Sequence, residues 1–233
     1  APDALARLDA RGLTPSLVAV PELAAAELAL RSLRIGPARD ALSRAHEAAD
    51  RARVPALLAE VAEVRAVLDR PAARRRTAGG EQALRLDEVA ALLDSDVLVV
   101  DACRRGLRAG AAWRPLARRP MLFALARALA EAWPDDVDRE ALIAHVFHTR
   151  RSNETHRARL RVEIGRLRAL VADMARIEAT PRGFAFKPRR AREVVVLAPP
   201  IDGDQASLVA LLSDGAAWST SALALALGAS QRT

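Results

Sequence analysis

Arginines with the chemistry of a polyanion contact are concentrated in one segment of the chain. Residues 150–192 hold twelve arginines and one lysine against four carboxylates, a net charge of +9, whereas the other 190 residues sum to −2. A guanidinium group can grip a phosphate or a guanine edge through two parallel hydrogen bonds. A compositional preference for Arg accounts for the choice over Lys, since Lys187 is the only lysine, but not for the clustering. The block therefore indicates a surface that binds nucleic acid.

A helix is predicted to present this charge. Leu160, Ile164, Leu167 and Val171 recur at helical spacing and predict one buried stripe on a helix from about residue 152 to residue 174. On the opposite face, arginines could reach guanine O6 and N7, and small apolar side chains could meet a thymine methyl group. The candidate base-contacting residues are Thr155, Ala158, Arg159, Val162 and Arg166.

Further basic and polar residues flank this face and could hold phosphates, together with the helix N-terminus. The candidate phosphate contacts are Arg150, Arg151, Ser152, Asn153, Arg157, Arg161, Arg168, Arg182 and Lys187. The alternative for Arg161 and Arg168 is solvated ion pairing with Glu163, Glu154 or Asp173. The same alternative applies to Arg159 and Arg166.

Other reactive residues do not form a recognisable catalytic pattern. His145, His148 and His156 could approach one another, but no carboxylate or thiol stands at ligand spacing, so we expect no metal site. Cys103 is expected to be a packed thiol, with a redox switch as the alternative. The sequence has no glycine-rich phosphate loop and no nucleophile elbow. We therefore expect neither an enzyme nor a cofactor.

The preceding part of the chain is predicted to be helical. No aromatic residue occurs among the first 112, so a core there must be built from Leu, Val and Ala. Prolines and a glycine delimit helices at about residues 21–33, 37–53 and 54–68. We expect a helical bundle or short solenoid over residues 1–76, followed by a linker whose composition is set by the arginines and glycines of residues 74–80.

A second domain, residues 84–190, should combine small sheets with helices, which makes the whole chain mainly α with small β-sheets. We expect a helix at 84–93, strands at 97–100 and 106–108, and a helix that starts at Pro120. Asp138 should cap the next helix, and a hairpin should turn at residues 181–183. Residues 193–197 read as a strand, and residues 219–230 as the start of a second helix-turn-helix within a domain 193–233 that the sequence would leave incomplete.

Residues 96–187 resemble the OmpR/PhoB-type winged-helix domain. The run Val-Glu-Ile-Gly-Arg-Leu-Arg at 162–168 is similar to that family's recognition-helix signature, and Thr-Pro-Arg-Gly-Phe at 180–184 to its wing turn. The Arg-Pro-Met-Leu-Phe run at 119–123 is similar to its first helix. The resemblance implies duplex DNA binding, with the third helix in the major groove and the wing near the minor groove. No phospho-receiver pattern precedes it, so phosphorylation is not inferred.

The combined prediction is a transcriptional regulator that binds double-stranded DNA. The N-terminal helices would serve homodimerisation, signal sensing or contact with the transcription machinery. A protein-interaction scaffold and a non-specific architectural DNA binder are the alternatives. No charge-free stretch approaches the length needed to cross a bilayer, and no leader sequence is recognised, so we expect a cytoplasmic protein without membrane contact.

Overall fold

A computed structural model describes residues 14–149 and 151–201. This part of the chain mixes helices and strands, and none of its helices is long and apolar enough to cross a membrane. The helices are α1 (Pro15–Arg31), α2 (Ile35–Ala52), α3 (Pro55–Ala66), α4 (Leu86–Leu93), α5 (Pro120–Glu131), α6 (Arg139–Phe147) and α7 (Glu154–Leu170). The strands are β1 (Ala73–Thr77), β2 (Gly80–Leu84), β3 (Val97–Asp101), β4 (Gly106–Ala109), β5 (Ala112–Pro115), β6 (Asp136–Asp138), β7 (Ala175–Ala179), β8 (Gly183–Pro188) and β9 (Glu193–Ala198). The predicted second helix-turn-helix lies outside the described residues.

The three N-terminal helices are confirmed, with one error of boundary. Helix α1 begins at Pro15, six residues before the predicted start, because Pro15 rather than Pro21 occupies the first turn and Pro21 lies inside the helix. Helices α1 and α2 pack closely through fully buried alanines, including Ala26 and Ala45. Small side chains let the helix axes approach, which is how this segment forms a core without aromatic residues.

The linker predicted at residues 74–80 is wrong, because these residues form the β1–β2 hairpin. Arg75 lies opposite Gln82 in the hairpin and opposite Leu197 of β9 on the other side. The arginines are neutralised by carboxylates across the sheet: Arg74 pairs with Glu81 at 2.7 Å, and Arg75 pairs with Glu193. Composition suggested a linker, but ion pairs within the hairpin and to β9 allow an arginine-rich strand.

Strand β9 is the centre of a six-stranded sheet with the order β2-β1-β9-β3-β4-β5. It runs parallel to β3 and antiparallel to β1. Val194 and Val196 point into the core shared with α5, α6 and α7, whereas Val195 and Leu197 pack on the other face with α4. Because β9 is buried on both faces, residues 194–198 are all apolar. This run predicted a strand but did not indicate which strands would pair with it.

The second half of the chain places three helices beside a smaller sheet with the order β6-β8-β7. Helix α5 begins at Pro120, as predicted, and buries Leu122, Leu125 and Leu129. Asp138 caps α6, also as predicted, by accepting hydrogen bonds from the Glu140 and Ala141 amides at 2.8 and 3.1 Å. Helix α7 ends at Leu170 rather than at residue 174. Val171, which belongs to the predicted apolar stripe, lies with Met174 in the turn that follows the helix, and both are buried there.

Asp101 is the buried charged residue of the described chain, with 2% of its surface exposed at the end of β3. Burial raises the pKa of its carboxyl and outweighs the opposing hydrogen bond from the Arg104 amide. The native carboxyl thus holds a proton more readily than the unfolded one, so its ionised form destabilises the fold. That cost is present above the raised pKa and disappears as the pH falls below the ordinary value for aspartate.

Asp101→Asn should therefore be at least as stable as the wild type at neutral pH. The amide oxygen can still accept the bond from Arg104 while the buried charge is removed. We expect urea unfolding to show this advantage at neutral pH and to show it shrinking in acid. Asp101→Leu, which loses the acceptor, serves as the control and should be destabilised. If Asp101→Asn were less stable than the wild type at neutral pH, the argument would be contradicted.

Candidate nucleic-acid interface

Helix α7 is held in place by its buried stripe and by its cap. Leu160, Ile164 and Leu167 are almost fully buried against α5 and α6, as the sequence predicted. The Asn153 side chain accepts a hydrogen bond from the His156 amide at 2.9 Å, which satisfies one of the free N–H groups at the helix N-terminus. Asn153, predicted as a phosphate contact, thus has a capping role. The anchoring leaves one face of a 17-residue helix free.

The free face carries the five predicted base-contacting residues, and all five are exposed: Thr155, Ala158, Arg159, Val162 and Arg166. Val162 exposes 53% of its surface between the two arginines. Arg159 and Arg166 are two turns apart, about 10 Å along the helix axis. The two arginines could donate hydrogen bonds to guanine edges, and the valine between them could contact a thymine methyl group.

Each of the two arginines is oriented by a neighbour: Arg159 by an aromatic ring that was not predicted, and Arg166 by Glu163, the ion-pair alternative given from the sequence. The Arg159 guanidinium carbon lies 4.8 Å from the centre of the Phe147 ring, at the end of α6. Arg166 donates from Nη1 to Glu163 Oε1 at 2.8 Å, and the Glu163 side chain is only 12% exposed. Phe147 is half-buried, since it packs on the core while its ring contacts Arg159.

Several predicted phosphate contacts already have carboxylate partners. Arg157 pairs with Glu140 at 3.0 Å, and Arg161 pairs with Glu154 at 2.8 Å, as the ion-pair alternative anticipated. Ser152 donates to the Glu140 carboxylate. The hydrogen bond from Ser152, followed by that from Arg157, holds the pKa of Glu140 below its usual range. These exposed pairs are weak, so a phosphate could replace the carboxylates at small cost.

Arg168, predicted as a phosphate contact with an ion pair as the alternative, makes a structural contact rather than an ion pair in the described chain. Its Nε donates to the Ile177 carbonyl at 2.7 Å, and its guanidinium carbon lies 5.9 Å from the Phe184 ring centre. Asp173, one proposed partner for Arg168, pairs with Arg114 at 2.6 Å instead. Arg168 therefore ties α7 to the β7–β8 hairpin. The partner is a backbone carbonyl nine residues away in another element, which side-chain spacing does not indicate.

The tip of the β7–β8 hairpin is tied to β6. Thr180 Oγ1 donates to Asp136 Oδ2 at 2.6 Å and accepts from the Gly183 amide at 2.8 Å. Arg139 of α6 donates to the carbonyls of Pro181 and Thr180. Arg182 at the tip is 73% exposed and lies 3.8 Å from Asp136. The hairpin is thus a rigid support that presents Arg182 beside α6.

The remaining predicted phosphate contacts lie at the margins of α7. Arg150 falls outside the described residues. Arg151 is exposed, and its guanidinium has no hydrogen bond or ion pair within residues 14–149 and 151–201. Lys187 is exposed directly opposite Arg176 on the hairpin. Like charges in opposite positions repel, so this pair would be stabilised by an anion.

Arg119 is a basic residue of this region that was not among the predicted contacts. Arg119 precedes α5 and lines a cavity of about 500 Å³ together with Met121, Glu163 and Arg166. The Arg-Pro start of α5 was recognised, but its nearness to α7 depends on how the two helices cross. Arg119 extends the basic surface beyond Arg166.

The histidines and the cysteine show no reactive arrangement in the described chain. His156 stacks on Phe147, with ring centres 6.1 Å apart, whereas His145 and His148 are exposed. No three His, Cys, Asp or Glu residues cluster for a metal ion within the described ranges. Cys103 is exposed in the turn after β3, so the prediction of a packed thiol is wrong. Partial desolvation of its sulfur, followed by the nearby Asp101 charge, raises the pKa of the thiol to about 11. It is therefore a neutral thiol near neutral pH.

Comparisons with protein-family models, with curated proteins and with solved structures found no match for this chain.

Proposed function

We propose that the chain binds double-stranded DNA in a sequence-specific manner to regulate transcription, with α7 in the major groove. The observation that carries the proposal is the exposed face of α7, on which Arg159, Val162 and Arg166 follow one another at helical spacing opposite a buried stripe. An α-helix fits the major groove, where arginine and small apolar side chains distinguish base pairs. A face kept only for solubility would not need an exposed valine between two arginines.

The order of elements supports a winged helix of the OmpR/PhoB type over about residues 96–187. The strands β3 to β5 precede α5, α6 and α7, and the β7–β8 hairpin follows with Arg182 at its tip. The resemblance implies that the hairpin lies near the DNA backbone or minor groove beside the recognition helix. The added strand β9 departs from that pattern, since it returns the chain to the first sheet.

The charges around this face support a strong contribution to DNA affinity from phosphate contacts, which do not depend on the base sequence. Arg151, Lys187 and Arg119 are available for phosphates, while Arg157 and Arg161 can exchange a carboxylate for one. Homodimerisation or contact with the transcription machinery through α1 to α3 and a cytoplasmic location complete the proposal.

Titration of a fluorescent random-sequence duplex at several salt concentrations tests DNA binding directly. Release of counterions makes the logarithm of the binding constant fall linearly with the logarithm of salt, with a slope close to the number of phosphates contacted. We expect binding at low salt that weakens steeply as salt rises. No binding at low salt would refute the proposal and favour a role as a protein-interaction scaffold.

Glu154→Gln should strengthen binding to every duplex. Glu154 is 72% exposed at the start of α7, where its charge repels phosphates and holds Arg161 and Arg157. Exposed ion pairs contribute up to about 1 kcal/mol, so their release corresponds to an increase in affinity of about two- to fivefold. The salt titration measures it.

Glu47→Gln provides the control, because it makes the same change of charge at an exposed position on α2. It should leave affinity nearly unchanged. Equal effects of the two variants would show that Glu154 acts only through net charge and does not face the DNA.

A further inference from the structure

We propose that Phe147 is a positioning residue for base recognition, which makes Arg159 the dominant reader and Arg166 the weaker one. The inference rests on the proposed function, since it concerns the same DNA-binding face. It adds a specificity determinant on α6, outside the recognition helix.

The geometry fixes Arg159 from two helices at once. The Phe147 ring lies 4.8 Å from the Arg159 guanidinium carbon and stacks on His156, with 22° between the ring planes. Phe147 is the last residue of α6 and packs against the core formed by α5, α6 and α7. His148 ends the helix with a left-handed φ of 51°. The position of the Phe147 ring is therefore fixed by the core and does not depend on the rotamer of Arg159.

The two arginines differ in what their guanidinium groups contact. Arg159 lies over the Phe147 ring and donates no hydrogen bond to a protein acceptor within the described ranges, so its N–H donors are not used by the protein. Those are the donors that bind guanine O6 and N7. Arg166, by contrast, already donates from Nη1 to Glu163, so it must give up that bond or read a base with its other donors. Arg159 is thus held in place while its hydrogen-bond donors remain available for a base.

Holding a long side chain before binding reduces the entropy lost when it meets a base. An exposed cation–π contact corresponds to about a two- to fivefold effect on an equilibrium. Phe147→Leu should therefore reduce discrimination at the base pair read by Arg159 by about two- to fivefold. Phe147→Tyr keeps the aromatic face and should retain the wild-type preference.

The test is a double-mutant cycle on the full chain. The probes are the duplex recovered by selection from a random pool and its single-base variants, with Phe147→Leu, Arg159→Ala, Arg166→Ala and the two pairwise combinations with Phe147→Leu. Thermal unfolding of each variant monitors the fold. We expect Phe147→Leu to add no loss of discrimination in the Arg159→Ala background and its full loss in the Arg166→Ala background, with an unchanged salt slope.

A loss for Phe147→Leu that adds fully to that of Arg159→Ala would overturn the inference, while the proposed function would stand. A loss spread equally over all duplexes, without rescue by Phe147→Tyr, would also overturn it, because that is the result of a merely structural role. If the wild-type chain shows no base preference at all, the proposed function fails first, and the inference fails with it.

Discussion

Arg159→Ala and Arg166→Ala are each expected to weaken binding to the preferred duplex by about 1–3 kcal/mol, concentrated at particular base pairs. Both side chains are exposed on the free face of α7, about 10 Å apart along the axis, and each carries donors for a guanine edge. The loss should appear as relaxed preference, with random duplex affected much less. Competition binding with single-base variants of the preferred duplex measures it.

Arg151→Ala is the matched control, because it removes the same charge just before α7 from a side chain without a protein partner in the described ranges. It should weaken binding to all duplexes alike and lower the salt slope by about one. If Arg159→Ala and Arg166→Ala behave in this way too, base reading by α7 is refuted. The two residues would then be phosphate contacts of an architectural DNA binder.

Gly183→Ala is expected to be the most damaging small substitution to stability in the hairpin. A Cβ at this position would lie 1.8 Å from the Val137 carbonyl oxygen, because β6 and β8 meet at Asp138 and Gly183. The obstacle is backbone and cannot rotate away. We expect a cost of about 3 kcal/mol, at the upper end of the range for overpacking, seen as a lower urea midpoint.

Gly165→Ala is expected to have the opposite effect on stability and serves as the control for Gly183→Ala. Gly165 is exposed inside α7, and nothing lies within 4 Å of a Cβ there. Alanine should stabilise the helix by about 0.5–1 kcal/mol, because it loses less conformational freedom on folding. Were Gly183→Ala as well tolerated as Gly165→Ala, the close approach of β6 to β8 would be wrong.

Local pattern predicted the helices well because their signals are local. The stripe of Leu160, Ile164 and Leu167, the Asp138 cap and the proline at the start of α5 all act within a few residues of the chain. The mistaken start of α1 arose from the same kind of signal. Two prolines, Pro15 and Pro21, could each open the helix, and only the packing of Ala19 against Ala48 and Ala49 selects the first.

The sheet could not be predicted, because its pairing is long-range. Strand β9 lies between β1 and β3, so Val195 and Arg75 belong to the same sheet across more than 100 residues. Nothing in the sequence of either segment names its partner. The arginines of β1 led to the mistaken prediction of a linker. Their carboxylate partners, Glu81 and Glu193, become apparent only once the pairing of β1 with β2 and β9 is known.

The candidate site divides in the same way. Exposure of the α7 face follows from helical spacing, and it was predicted residue by residue. The partners of Arg159, Arg157 and Arg168 were not, because Phe147, Glu140 and the Ile177 carbonyl reach α7 from other elements. The pairs of Arg161 with Glu154 and of Arg166 with Glu163 lie within α7, and both were among the alternatives given from the sequence. Helix spacing gives the direction of a side chain, but not what meets it.

Selection from a pool of random-sequence duplexes, at low and at high salt and followed by sequencing of the retained fraction, tests the central claim most directly. Sequence-specific binding by α7 predicts an enriched motif containing guanines that persists at high salt, and two half-sites if the helices α1 to α3 dimerise. Salt-sensitive retention without any motif would contradict specific recognition by α7.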